Sequence, residues 1–166
     1  MDLSHVLWIG GGQGSGKSSI ARALSRRFEL RLYSVDEHEA AHAPRMPSFV
    51  AGDPIEAFVT ASRHRFRLVL EDLAALPPAP AALVEGSQLF PTSVAAVLRN
   101  PDHALFLMPA VADEITRRIG WEARDLRLAT LEVDAPLEEL IERAAAHFLP
   151  VLSAARDRSP LRRPTP

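Results

Sequence analysis

Lys17 is the only lysine in a chain whose other basic residues are arginine and histidine, and it falls inside Gly11-Gly12-Gln13-Gly14-Ser15-Gly16-Lys17-Ser18. That stretch has the spacing G-x-x-x-x-G-K-[ST] of an anion-binding loop. Its flanks agree: Val6-Leu7-Trp8-Ile9 reads as a buried parallel strand, and Ser18-Ser19-Ile20-Ala21-Arg22-Ala23-Leu24 opens a helix. Strand, glycine turn and helix in that order aim successive backbone N–H groups and a helix N-terminus at one anion. Gly11, Gly14 and Gly16 supply the positive φ that such a turn requires. An ammonium is a compact charge on a flexible stem, whereas guanidinium is a planar fork too broad for a ring of backbone amides. The motif therefore assigns Lys17 to the β- and γ-phosphates of ATP, Ser18 to Mg²⁺ and Ser19 to the α-phosphate, with Gly12, Gln13 and Ser15 completing the cradle.

A chain of 166 residues suits one domain, large enough for a sheet covered on both faces. Its formal charge is −2 and its arginines are dispersed, so no basic stripe points to nucleic acid and no polybasic run to an anionic membrane. A small neutral or anionic acceptor fits better. No basic, apolar and small-residue leader precedes the first strand, and no apolar run reaches the roughly 18 residues that span a bilayer. The expectation is a soluble, cytoplasmic protein, monomer or homodimer. With no cysteine, disulfides, thiolate metal sites and a cysteine nucleophile are excluded.

Further along, Leu30 to Val35 alternates like a short strand that ends at Asp36, and Glu37 to Gly52 reads as a loop or short helix. Asp53-Pro54-Ile55-Glu56 is a helix start, with Asp53 as N-cap and Glu56 at the capping-box position. Ile55, Phe58, Val59, Ser62, Phe66, Val69, Leu70 and Leu73 recur at helical spacing, so a long helix runs to about Leu76. Ala81 to Val84 is a third strand ending in Glu85-Gly86, Pro91 to Arg99 a short helix, and His103 to Met108 a fourth strand. Ala110 to Asp125 reads as a helical, arginine-bearing segment interrupted at Gly120. Leu126 to Val133 is a fifth strand, Pro136 to about Asp157 an amphipathic helix, and the tail from Ser159 reads as disordered. The domain thus spans residues 1–158. Strands alternating with helices predict a parallel sheet in a three-layer α/β/α fold, with sites beyond the carboxyl ends of the strands.

That rule makes residue order a map. Asp36 ends the second strand and is the first candidate for the general base or an Mg²⁺-shell carboxylate; Glu85 ends the third and is the candidate for ordering metal-bound water. The two could exchange roles. Arg117, Arg118 and Arg124 follow the fourth strand, where arginine can neutralise charge on a moving phosphoryl group. Arg63, His64, Arg65 and Arg67 cluster on the long helix, where a solvated face is the favoured reading over an acceptor pocket. His38-Glu39-Ala40-Ala41-His42 fits the zinc motif H-E-x-x-H, but it follows a strand and meets Pro44 rather than lying in mid-helix. The longer and better placed phosphate motif takes precedence.

The strand-loop-helix around Lys17, the Tyr33-Ser34-Val35-Asp36 and Leu83-Val84-Glu85-Gly86 strand ends, and the Val133-Asp134-Ala135-Pro136 turn together resemble the P-loop small-molecule kinase superfamily. Its chloramphenicol phosphotransferase-like, uridine kinase-like and adenylate kinase-like groups are the most similar. The resemblance implies a five-stranded sheet in the order 2-3-1-4-5 and ATP- and Mg²⁺-dependent phosphorylation of a hydroxyl on a small metabolite, nucleoside or antibiotic-like molecule. It also implies that Asp134 and Pro136 lie near adenine, that Arg117 or Arg118 serves as a lid arginine, and that Asp36 is the acceptor-side base. The segment between Met108 and Leu126 is short for the helical hairpin of such kinases, which keeps open a nucleotide-binding regulatory module or weak ATPase. A zeta-toxin-like sugar-nucleotide kinase is a further alternative. A guanine-reading N-K-x-D motif is excluded, because the one lysine is in the loop.

Overall fold

The computed structural model describes residues 2–48 and 52–157. Five strands, β1 (Val6–Gly11), β2 (Arg31–Ser34), β3 (Ala82–Glu85), β4 (Ala104–Pro109) and β5 (Ala129–Val133), form one sheet in the order β2-β3-β1-β4-β5. Every neighbouring pair is parallel. The helices are α1 (Lys17–Phe28), α2 (Glu39–His42), α3 (Pro54–Ala75), α4 (Pro91–Ala95), α5 (Glu114–Asp125) and α6 (Leu137–Asp157). The expected element order and strand order both hold, with boundaries displaced by a few residues.

Alternation along the strands divides the core into two layers. Val6 and Trp8 of β1 join Tyr33, Val84 and Phe106 on one face, where Val59, Phe66, Val69 and Leu73 of α3 and Ile119 and Ala123 of α5 cover them. Leu7 and Ile9 join Leu83, Leu105 and Leu107 on the other, under Ile20 and Leu24 of α1 and Leu140, Ala144 and Phe148 of α6. The fold is therefore the three-layer α/β/α arrangement, and both faces of the central strands are dry.

Two local expectations, at Glu56 and Gly120, are corrected, and the loop or short helix expected after Asp36 takes a definite form. Residues 36–45 are a one-turn helix, α2, between two 3₁₀ turns at Asp36–His38 and Ala43–Arg45. Asp53 does cap α3, accepting from Ile55 N at 2.9 Å, but Glu56 reaches across to Arg118 on α5 instead of back to the cap. Gly120 does not interrupt α5, which runs unbroken through it; a Cβ there would come within 2.7 Å of Met108 Cε, so the glycine admits the β4 side chain rather than ending the helix. The tail from Ser159 lies outside the described residues.

Two glycine substitutions should separate a rigid neighbour from a movable one. A Cβ at Gly10 would meet the Phe106 ring at 2.4 Å and the Leu89 carbonyl at 2.8 Å, neither of which can swing away. Gly10→Ala should cost about 1–3 kcal/mol. Met108 can turn its terminal methyl aside, so Gly120→Ala should realise a helix-propensity gain of up to about 1 kcal/mol. Urea unfolding midpoints check both, and a destabilised Gly120→Ala would contradict the packing argument.

Candidate active site

The sheet's register brings three chain segments level at one edge. Glu85 pairs with Ile9 on β1 and with Ser34 on β2, so β1, β2 and β3 open together at their carboxyl ends. Val35 N donates to Glu85 O at 2.9 Å and Gly86 N to Ile9 O at 3.3 Å, which ties the turns that follow to the strands beneath them. α1 starts directly above this edge. Its N-cap is Gly16 at φ 81°, and Gly14 lies at φ 72°, a region a side chain resists. A Cβ at either would meet nothing within 4 Å, so the space above the loop is open where an anion would lie against the N–H groups.

Lys17 is buried at 6% exposure. Its ammonium donates to the Gly12 carbonyl at 2.6 Å and lies 3.4 Å from Ser15 Oγ, while Ser15 Oγ donates to the same carbonyl at 2.8 Å. Among the described residues no carboxylate bonds it. Burial pushes the Lys17 pKa below the ordinary lysine value, and the charges of Glu85 and Asp36 oppose that shift without cancelling it. Ser18 Oγ donates to Glu85 Oε2 at 3.1 Å, and Glu85 is 1% exposed. A hydroxyl and a carboxylate so paired at the foot of a phosphate loop are the oxygen donors that Mg²⁺ takes alongside water and phosphate. Asp36, exposed at the start of its 3₁₀ turn, lines the same cleft of about 370 Å³ with Gln13, Gly14, Gly16, Lys17, Ser18, Ser19 and Ser87.

Of the predicted arginines, the structure brings together fewer than expected. Arg117, on the first turn of α5, is exposed and donates to the Ala112 carbonyl at 3.0 Å. Arg118 is engaged by Glu56 at 2.5 Å and Glu122 at 3.3 Å, which joins α5 to α3. Arg124 is misplaced in the sequence reading. α5 runs back down the sheet, so its last turn lies toward the amino ends of the strands, and Arg124 lines a groove of about 430 Å³ with Pro101, Asp102 and Arg127 that shares no residue with the loop. Asp134 and Pro136 follow β5 at its carboxyl end, where Asp134 accepts from Arg143 at 2.7 Å. The connection from β4 to β5 is a short loop and the single helix α5, with Val111 90% exposed.

Two neighbours of the loop were not singled out from sequence. Ser87 lines the cleft and follows Glu85-Gly86 directly, so the strand-end rule could have found it. Thr116 stands against the loop itself: a Cβ on Gly12 would come within 2.4 Å of Thr116 Oγ1. Only its place on the buried Thr116, Ile119 and Ala123 stripe of α5 signals that. His38 and His42 each make a contact elsewhere. His42 Nε2 bonds Asp72 Oδ2 at 2.9 Å, His38 Nδ1 bonds the Ser34 carbonyl at 2.7 Å, and the His38 ring stacks on Tyr33 at 4.0 Å. Among the described residues no group of three His, Asp or Glu is placed to hold a metal ion. Tyr33 completes that network by donating to Asp72 at 2.5 Å, and burial together with this bond raises its pKa. Burial opposes the charge on Asp72, but the bonds from Tyr33 and His42 outweigh it and hold the carboxyl below its ordinary value.

Comparison of the sequence with family models and with curated proteins finds no match. Among solved structures, the chain is similar to a gluconokinase from Sinorhizobium meliloti 1021, with TM-score 0.56 and 15% identity over 96% of this chain and 99% of that one. It is also similar to a shikimate kinase from Aquifex aeolicus, with TM-score 0.54 and 18% identity over 93% and 99%. The likeness is one of fold. Among the described residues no helix is long and apolar enough to cross a membrane.

The single lysine permits a direct check of the site's electrostatics. Lysine-selective labelling yields one side-chain NMR signal, and its titration should report a pKa below that of free lysine. Glu85→Gln removes a charge that favours the ammonium, so the Lys17 pKa should fall further; a rise would mean that Glu85 does not act on Lys17.

Proposed function

We propose that the protein is an ATP- and Mg²⁺-dependent kinase that phosphorylates a hydroxyl of a small metabolite. The observation that carries this reading is the arrangement at the strand ends. A buried ammonium sits on the loop carbonyl, the Ser18–Glu85 pair lies beside it, and a free carboxylate, Asp36, lines the same cleft. The names of the two structural neighbours, both kinases, support it.

The residues fit the groups such a reaction needs. The open space above Gly14 and Gly16 and the N-terminus of α1 suit the phosphates of a nucleotide, with Gln13 and Ser19 at the rim. Ser18 and Glu85 would hold Mg²⁺, directly or through water, and the ion would supply charge neutralisation across the β- and γ-phosphates. Lys17 is freed from the Gly12 carbonyl by exchange of one oxygen partner for another, so its move to a phosphate leaves no orphaned charge. Asp36 accepts the proton of the acceptor hydroxyl as that oxygen bonds to the γ-phosphorus; the bond to the bridging oxygen breaks, and ADP leaves with the electron pair. Arg117, exposed at the start of α5, would exchange the Ala112 carbonyl for an oxygen of the transferring group. Arg118 would first have to leave Glu56 and Glu122.

One feature favours a second reading, a nucleotide-binding regulatory module with weak ATPase activity. The single helix α5 and its short leading loop offer little to exclude water from the cleft.

The kinase reading is checked by following ADP formation and the phosphorylated product across a metabolite panel. Asp36→Asn should lower turnover roughly 10²- to 10⁴-fold with little change in nucleotide affinity. Glu85→Gln should instead raise the Mg²⁺ concentration needed for half-maximal rate. Tight ATP binding with no product from any acceptor would favour the regulatory module.

A further inference from the structure

Gly12 is a glycine that neither the anion-binding pattern nor the backbone asks for. In G-x-x-x-x-G-K-[ST] it is the first variable position, directly after Gly11. Gly11, Gly14 and Gly16 take a positive φ and Gly12 does not, so its want of a side chain is not a matter of left-handed backbone. What it lacks is room. A Cβ there would come within 2.4 Å of Thr116 Oγ1, 2.7 Å of Thr116 Cγ2 and 3.1 Å of Thr116 Cβ, whereas the same atom on Gly14 or Gly16 would meet nothing within 4 Å. The glycine at position 12 therefore answers to α5.

Thr116 makes a stiff neighbour. It is buried in the first turn of α5, where its amide donates to the capping Asp113 Oδ1 at 2.7 Å, so the turn that carries it is fixed. Two heavy atoms on its Cβ restrict the side chain to few rotamers, and both of them stand against Gly12. The other groups of Gly12 are engaged as well. Its N donates to Leu107 O at 3.2 Å, and its carbonyl accepts from Lys17 Nζ at 2.6 Å and from Ser15 Oγ at 2.8 Å. A shift of α5 against the loop would therefore move the carbonyl that holds the lysine. Arg117 follows Thr116 directly, so the same contact sets where that arginine starts.

We propose that Thr116 is a positioning residue for the phosphate loop: its side chain is the wall that sets where the Gly12 carbonyl holds Lys17, and it keeps the loop and α5 together as one body when nucleotide binds. This rests on the kinase reading above, through the nucleotide that the loop is proposed to hold. Lys17 exchanges the Gly12 carbonyl for a phosphate oxygen while Thr116 keeps Gly12 in place, so the loop meets the phosphates already shaped. Closure over the cleft is then the work of residues 110–113 and the Arg117 side chain, because α5 cannot swing away from the loop without giving up this contact.

The test is a double-mutant cycle read by isothermal titration with ATP and Mg²⁺ and by the single Lys17 side-chain resonance of the nucleotide-free protein. Gly12→Ala pushes the loop off Thr116, and it should weaken ATP binding about tenfold or more and displace the Lys17 resonance. Adding Thr116→Ala takes Oγ1 and Cγ2 out of the path of the new methyl group, so the double variant should bind within about threefold of wild type and bring the resonance back toward its original position. Thr116→Ala alone should displace the resonance and weaken binding about threefold or more. Thr116→Val keeps both branches of the side chain and should leave the resonance in place. These two variants carry the test if Gly12→Ala does not fold. A threonine that served only the stability of α5 would lower the urea unfolding midpoint in Thr116→Ala without moving the Lys17 resonance or the affinity. That result, a double variant as weak as Gly12→Ala, or Gly12→Ala binding like wild type would each overturn the inference and leave the kinase reading standing. Failure of the wild-type chain to bind ATP would overturn both.

Discussion

An ammonium held out of water by a carbonyl and a hydroxyl, its only bonded partners among the described residues, is the condition on which the rest of this site depends. Lys17 is buried against Gly12 O and Ser15 Oγ, and the nearest acids act on it through space rather than by contact. Desolvating a charge costs several kcal/mol unless partners repay it. Two oxygens repay part of that cost, and the open space above Gly14 and Gly16 is where an anion would repay the remainder. A carboxylate in direct contact would satisfy the lysine permanently and close the site. Glu85 instead bonds Ser18, and Asp36 stays at the rim of the cleft, so both favour the ammonium without capturing it.

The same constraint explains how closely the chain is packed beneath the loop. The carbonyl that holds Lys17 belongs to Gly12, whose N donates to Leu107 O at 3.2 Å and whose Cα lies against Thr116 of α5. The lysine is therefore held by a residue fixed between β4 and the helix that follows it. Asp113 sets that helix in place by capping it, accepting from Thr116 N at 2.7 Å, and the Arg118–Glu56 pair fastens it to α3. α3, the loop and α5 are thus joined through a few contacts around one glycine.

Much of this was legible in the sequence because it is local. The loop, its flanking strand and helix, and the carboxylates at the ends of β2 and β3 follow from period, glycine placement and residue order. What failed was what depends on distance across the fold. Gly120 reads as a helix breaker until Met108 is seen beside it, and Glu56 reads as a capping residue until Arg118 is seen in reach. Arg124 was grouped with the lid arginines because sequence gives its place along the chain but not the end of the sheet at which a returning helix finishes. Arg65 was read as a surface charge because it sits among surface charges, although it falls on the stripe of Ser62 and Val69. Helical spacing was enough to place it inside, and composition argued it out again.

The central claim is that Lys17 waits for the phosphates of a nucleotide. Its unique side-chain resonance, observed by lysine-selective NMR, reports on that contact without any knowledge of the acceptor. Titration with ATP and Mg²⁺ should shift the resonance saturably, whereas adenosine, which carries the base and sugar but no phosphate, should leave it in place. A resonance unmoved by ATP, or moved equally by adenosine, would contradict the account.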